Sequence, residues 1–422
     1  MTPPRGVLPP VFAITFLGSL GTGAVTNGIS FLAKQGFGFA ASENFTLGVV
    51  MGASYIPAAV FSGRIIRAVK AVASPRSVLI ATQALAALAC AAPVALDAAG
   101  VLGKWFVYAF AAIYLALSGI LWPVVESYLS GGRTDKQLVG AVGKFNLVWA
   151  SAVYLSMASL GPIMERSVLW CMFTLSGVHV LCISAAVWLP RDNRPHEHSE
   201  HTAPGSYKRL LSVFRGLLPM SYIVLSGIAP YMPFALDRVG VDTAAQPAVA
   251  ATWMASRFAT FLLLERWHGW HGRMSPAVAA IVLLVVGVVV VLLAPVIAPD
   301  TPGLDTLSLT VLLSGLALVG VGCGVVYVAA LYYALEVGAA EIDAGGAHEG
   351  LIGLGYVAGP ALGLVSVAAA SSTPALGSEQ MMMLLIGGVC AAVSVVVLVR
   401  VGKSGPGNSS RHDNVSSSTE TG

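Results

Sequence analysis

The chain has 422 residues, of which 56% are hydrophobic and only 10% charged. Soluble domains carry about 25% charged residues, so the composition excludes a soluble globular protein and points to a membrane. A formal net charge of +3 is too small to support nucleic-acid binding.

A membrane-crossing helix needs about 20 mostly apolar residues. By that measure twelve segments qualify, at roughly 10–34, 45–65, 77–97, 105–130, 138–163, 168–189, 213–236, 245–264, 275–298, 307–336, 346–371 and 380–400. The first is long enough to span and is followed by others, which argues against a cleavable signal peptide. The longest polar interruption falls between the sixth and seventh segments. It divides the chain into a six-helix bundle over 1–189, a central loop over 190–212 and a second six-helix bundle over 213–402, followed by a Ser/Gly/Asn-rich tail over 403–422 expected to be disordered. The five cysteines, Cys90, Cys171, Cys182, Cys323 and Cys390, lie in apolar runs without a CxxC pairing. They read as small hydrophobes rather than as a disulfide framework or a zinc site.

Lys and Arg in the loops set the orientation. With both termini inside, seventeen of the 23 basic residues fall on inner segments and four (Lys34, Lys104, Arg166 and Arg238) on outer ones. Lys144 and Arg257 stand within segments. The expected class is therefore an all-α integral membrane protein of twelve helices with cytoplasmic termini.

The two halves echo each other. Gly63-Arg64 follows the second segment and Gly272-Arg273 follows the eighth, 209 residues later. Glu126 ends the fourth and Glu336 the tenth, 210 residues later, each with an aromatic residue four positions before it, Trp122 and Tyr332. Two agreeing offsets favour duplication over coincidence, and repeated halves around a central site are typical of secondary transporters.

With these features the chain resembles the major facilitator superfamily over about residues 10 to 400. That family's loop signature is a Gly, an Asp-Arg pair and Gly-Arg-Arg. Here it reduces to Gly63-Arg64 with Arg67, and to Glu265-Arg266 with Gly272-Arg273; the Asp is missing from both copies. The string Gly355-x3-Gly359-Pro360-x2-Gly363 is similar to a drug-antiporter signature but stands on the eleventh segment rather than the fifth. No subfamily is assigned.

The resemblance makes Glu126 with Arg64 and Arg67, and Glu336 with Arg266 and Arg273, an inner gate whose salt bridges form when the site opens outward and break when it opens inward. The bland alternative is static pairing that anchors loops. Lys144 is expected to pair with Glu126, or else to snorkel to the interface. Asn146 sits about 200° around the helix from Lys144 and on the face of Trp149, so Asn146 and Trp149 are expected to face substrate. Arg257, the deepest arginine, must face a cavity or a partner. It binds an anionic group or pairs with Glu349, since its fork suits carboxylate or phosphate. His348 and Glu349 can each carry a proton, although Glu349 can also serve the helix dipole. An HExxH zinc motif is excluded by Ile352.

Gly18, Gly21, Gly23 and Asn27 in the first segment, and Gly227, Pro230, Tyr231 and Pro233 in the seventh, are matched interruptions that point to a binding region. With Tyr327, the substrate-facing candidates are Asn27, Asn146, Trp149, Tyr231, Arg257 and Tyr327. The run of His196, His198 and His201 in the central loop reads as a solvated tract before it reads as a metal site. Asn44-Phe-Thr fits a glycosylation acceptor on the outer side.

Together these features predict a secondary active transporter of a small organic solute, working by alternating access with proton coupling. It is expected to be a monomeric multi-pass protein of the inner or plasma membrane. Neither cofactor nor resident metal is expected. No phosphate-binding loop of the GxxxxGK[ST] kind appears, and no nucleophile–base motif supports an enzyme. The alternatives are an uncoupled carrier, a multidrug or metal exporter, and a receptor-like member that moves nothing.

Overall fold

The computed structural model describes residues 7–133, 135–194, 204–300, 303–337, 342–373 and 376–403. Every regular element among them is a helix. Twelve stretches are long and apolar enough to cross a membrane: span 1, Leu8–Asn27; span 2, Ala41–Val69; span 3, Pro75–Ala98; span 4, Lys104–Ser130; span 5, Gln137–Arg166; span 6, Val168–Val187; span 7, Gly205–Val239; span 8, Gln246–Arg266; span 9, Ser275–Ile297; span 10, Thr306–Ala334; span 11, Gly345–Ser372; span 12, Ser378–Val397. The chain is a multi-pass membrane protein. Leu85, Leu88, Leu181, Val282 and Val396 point outward and exposed, as a lipid-facing surface requires.

The spans fall on the predicted segments, and span 7 begins at Gly205, inside the stretch read as the central loop. His196, His198 and His201, and the tail from residue 404, lie outside the described residues.

Helix ends follow local chemistry. Ser74 and Ser167 accept hydrogen bonds from the first turns of spans 3 and 6. Asp305 accepts from the Ser308 amide at 2.9 Å and caps span 10; those bonds hold its carboxyl below the usual range. Spans 1 and 7 share an irregularity: a π-turn over Thr22–Asn27 in span 1 and a 3₁₀ turn over Ala229–Tyr231 in span 7. The helices that follow, Ile29–Phe37 and Met232–Val239, each close on a left-handed glycine, Gly38 (φ 64°) and Gly240 (φ 80°).

An even number of crossings places the start of span 1 and the end of span 12 on one face, the terminal face. Gly38 and Gly240 lie on the far face. There the halves are joined. Lys34, just beyond span 1, forms an ion pair with Asp237 of span 7 and donates to the Pro233 carbonyl at 2.9 Å. Gln246 of span 8 donates to the same Asp237 at 2.6 Å. Asn44 of span 2 donates to Ser30 and Pro230 carbonyls at 3.1 and 3.2 Å. A Cβ on Gly161 would lie 1.8 Å from the Ala244 carbonyl oxygen. The far mouth is shut. Asn44, fully buried in this contact, is out of reach of glycosylation, which corrects the reading of its triplet.

Between the faces, span 2 packs along span 11 and span 5 against span 8. The first seam brings backbones together: a Cβ on Gly52 would meet the Tyr356 carbonyl carbon at 2.6 Å, and one on Gly346 the Ala59 oxygen at 2.8 Å.

Candidate functional site

Arg257 stands at mid-depth on span 8 with none of its surface exposed. Trp253 and Phe261, four residues to either side, share its helix face. Span 5 brings Trp149, span 7 brings Tyr222 and span 10 brings Tyr327. The guanidinium carbon lies 4.7 Å from the Tyr327 ring centre and 4.8 Å from that of Trp149. Phe261, Tyr222 and Trp253 stand at 5.5, 5.6 and 6.0 Å. Trp149 and Tyr327 stack on each other across the two halves, 5.9 Å apart and 9° from parallel. Five aromatic faces thus supply cation–π attraction.

They do not supply hydrogen bonds. Arg257 donates one, to the Tyr222 hydroxyl at 3.2 Å, while Nε and Nη1 have no partner. No carboxylate among the described residues lies within ion-pair distance of it, so the expected Arg257–Glu349 pair is not formed. Buried donors are almost always satisfied, and buried charges are normally paired. Two further side-chain atoms are left in the same condition, Asn146 Oδ1 and His348 Nε2. Asn146 lies one turn from Trp149 on the same face of span 5. The His348 ring meets the Tyr327 ring edge-on at 5.7 Å.

Next to this cluster two carboxylates approach from opposite halves. Glu349 of span 11 accepts a hydrogen bond from the Tyr55 hydroxyl of span 2. Glu126 of span 4 reaches the same helix one turn away, its Oε2 3.0 Å from where a Gly345 Cβ would stand. The two carboxylates interact electrostatically.

Toward the far face lie two small voids of about 40 and 20 Å³, which share Asn27, Leu225 and Ala229 in their walls. Both interruptions contribute to them, Asn27 from the π-turn and Ala229 from the 3₁₀ turn. Trp253 closes the smaller one. Each has room for about one water molecule, so a larger guest requires the halves to part.

Asn146, Trp149, Arg257, Tyr327, Glu126, His348 and Glu349 are therefore brought together, with Asn27 toward the far side. Tyr231 is not. Its hydroxyl bonds Glu379 of span 12 and its ring stacks on Phe234 at 6.0 Å, away from both voids. Lys144 is exposed and makes no ion pair with Glu126, so of its two readings the pair is not formed and the snorkelling one fits.

The charge network of the terminal face is likewise open in this conformation. Among the described residues Glu126 makes no ion pair with Arg64 or Arg67, and Glu336 none with Arg266 or Arg273. Arg64 is exposed and lies over the ring of Phe61 at 5.3 Å; Arg67 is exposed and has another interaction. The loop carrying Arg266 and Arg273 is fixed by aromatic packing instead. Trp270 is buried and donates to the Leu264 carbonyl at 3.2 Å, and Gly272, at φ 71°, donates to the Tyr333 hydroxyl at 3.0 Å. His271 stacks on Tyr332 at 4.3 Å, and burial with the neighbouring His268 pulls its pKa down.

Sequence reasoning missed Tyr55, Tyr222 and the far-face pair Lys34–Asp237. The spacing of Trp253 and Phe261 about Arg257 was available and marks the aromatic surround.

No family model and no curated protein matches the chain. Solved structures do. The nucleoside transporter NupG is 14% identical with a TM-score of 0.65, over 94% of this chain and 99% of that one. A point mutant of NupG gives 11%, 0.64, 93% and 99%. A bacterial homologue of the human lysosomal transporter Spinster, inward-facing and unoccupied, is 11% identical with a TM-score of 0.58, over 94% of this chain and 95% of that one. All are major facilitator superfamily transporters. The chain has the major facilitator fold. The cluster around Arg257 lies on the boundary between the two halves of that fold.

Proposed function

We propose that the protein is a secondary transporter of a small organic solute, working by alternating access between its first six and last six spans. The observation that carries this reading is a fully buried guanidinium at the meeting of the halves, with two nitrogens unpartnered. A charge at that depth is costly, and intramembrane charges mark substrate or ion pathways. Arg257, Asn146, Trp149 and Tyr327 are the substrate residues, with Asn27 on the far side.

The Lys/Arg bias favours a cytoplasmic terminal face. The shut far mouth is then the outer gate, closed by Lys34 and Asp237. Glu126, Glu336 and the arginines of the terminal-face loops pair when the inner gate closes. Proton coupling rests on Glu126 and Glu349, two carboxylates from opposite halves with no cation among the described residues paired to either.

The test is uptake by reconstituted proteoliposomes of labelled carboxylates, nucleosides and sugars under an imposed pH gradient. The expected result is accumulation of one class, abolished by a protonophore and by Glu349→Gln. Flux indifferent to the gradient would leave an uncoupled carrier. Binding with no flux would leave a receptor-like protein.

A further inference from the structure

Among the described residues Arg257 has no acid paired to it and the two acids next to it have no base, and this arrangement points to the guest. We propose that the site takes a small monoanion with an apolar body, its carboxylate on Arg257, and that one proton enters Glu349 with it. The proposal rests on the transport reading for its purpose, but not for its binding chemistry.

The head-group site is built from the unpartnered atoms. Nε and Nη1 of Arg257 stand on either side of Nη2, which donates to Tyr222; each shares an edge of the guanidinium with Nη2, and a carboxylate fits the edge that Tyr222 leaves open. The body site is equally marked. Trp253 touches Arg257 on one side and closes a void on the other, where Phe31, Met157, Ile228, Met232 and Leu316 line it. These walls carry no charge and suit hydrocarbon.

Charge accounting supplies the proton. The groups facing Glu349 are Tyr55 from span 2, Glu126 from span 4, Arg257 from span 8 and Tyr327 from span 10. Tyr222 of span 7 and Tyr356 of its own span complete the set, while Arg215 acts on the adjacent His348. In the empty site Arg257 is the positive charge that faces Glu349. A bound carboxylate neutralises that charge, leaving three acidic groups near one guanidinium. Glu349 then takes a proton from solution. The net charge of the centre is the same empty as loaded, so neither form carries an extra charge through hydrocarbon.

The experiment uses purified full-length protein. Binding of benzoate, phenylacetate and hexanoate is measured by calorimetry, each against its own carboxamide and against uridine. At least one acid is expected to bind at least tenfold more tightly than its amide. Arg257→Lys should weaken that acid without changing the amide. In weakly buffered solution the bound acid should bring about one proton with it. Glu349→Gln should abolish that uptake and make acid affinity the same at mildly acidic and neutral pH. Circular dichroism and thermal unfolding establish that both variants are folded. Amides or uridine binding as well as the acids, or no acid binding at all, would overturn the anion class. Acid binding without proton uptake would overturn the coupling. The preferred acid is then tested for flux in liposomes. Absence of flux would remove the transport reading and leave this site standing, whereas uptake of a neutral solute alone would do the reverse.

Discussion

Two polar clusters are buried in this protein, and they are built to opposite rules. Inside the first six spans, His179 of span 6 joins Gln83 of span 3 to Tyr114 of span 4. Its Nδ1 lies 2.6 Å from Gln83 Oε1 and its Nε2 3.0 Å from the Tyr114 hydroxyl. That chain uses both ring nitrogens, leaves only Gln83 Nε2 without a partner, and touches one half alone. The cluster at Arg257 draws on both halves and leaves four polar atoms empty on three residues. A satisfied network rigidifies a core. An unsatisfied one costs stability and persists where something else completes it. Burial alone therefore does not mark a site; a buried charge with unmet hydrogen bonds between the two halves is a stronger sign.

The sharpest way to break this comparison is Arg257→Met. Anion affinity should fall about 100-fold or more, the equivalent of roughly 3 kcal/mol of charge-assisted hydrogen bonding. Thermal stability should rise, because an apolar side chain replacing buried charge gains about 1–4 kcal/mol. Calorimetry and thermal unfolding on one preparation read both effects, and a destabilised variant would contradict the contrast. His179→Ala should behave oppositely. It strands Gln83 Oε1 and the Tyr114 hydroxyl, with a loss of about 2–3 kcal/mol in stability, while solute affinity stays as it was. A changed affinity would mean that the His179 chain belongs to the site.

The smallest effect is expected at the far mouth. The Lys34–Asp237 pair is partly exposed, and such pairs contribute about 1 kcal/mol or less. Lys34→Ala should therefore shift opening by no more than about fivefold. The measure is labelling of an Asn27→Cys variant by a membrane-impermeant thiol reagent. The five native cysteines are buried and provide a quiet background. An unchanged labelling rate would show that the mouth is held by packing, such as that of Gly161 on Ala244, and not by the ion pair.

Much of the architecture was legible before any coordinates. Hydrocarbon sets a length and an apolar composition that twelve segments meet openly, and the glycines and prolines of spans 1 and 7 announced their broken turns. Arg257 was legible too, because no depth in a bilayer hides an arginine. Its lack of an acid was not. Pairing across halves depends on helix rotation: Lys144 and Asn146, about 200° apart, cannot both face inward, and their spacing alone does not choose between them. Tyr55 and Tyr222 escaped because a tyrosine in an apolar run carries no sign that its hydroxyl is engaged. Asn44 matched a surface triplet only until the folded chain enclosed it.

The glycine seam between spans 2 and 11 has a mechanical consequence. Gly52 and Gly346 bring main chain against main chain, so the contact has few protruding teeth to disengage. Two cylinders that meet this way can roll on each other without first being pried apart, as in a plain bearing. A methyl group added at either glycine would fall on the opposite main chain, so the bearing would have to be forced open to admit it.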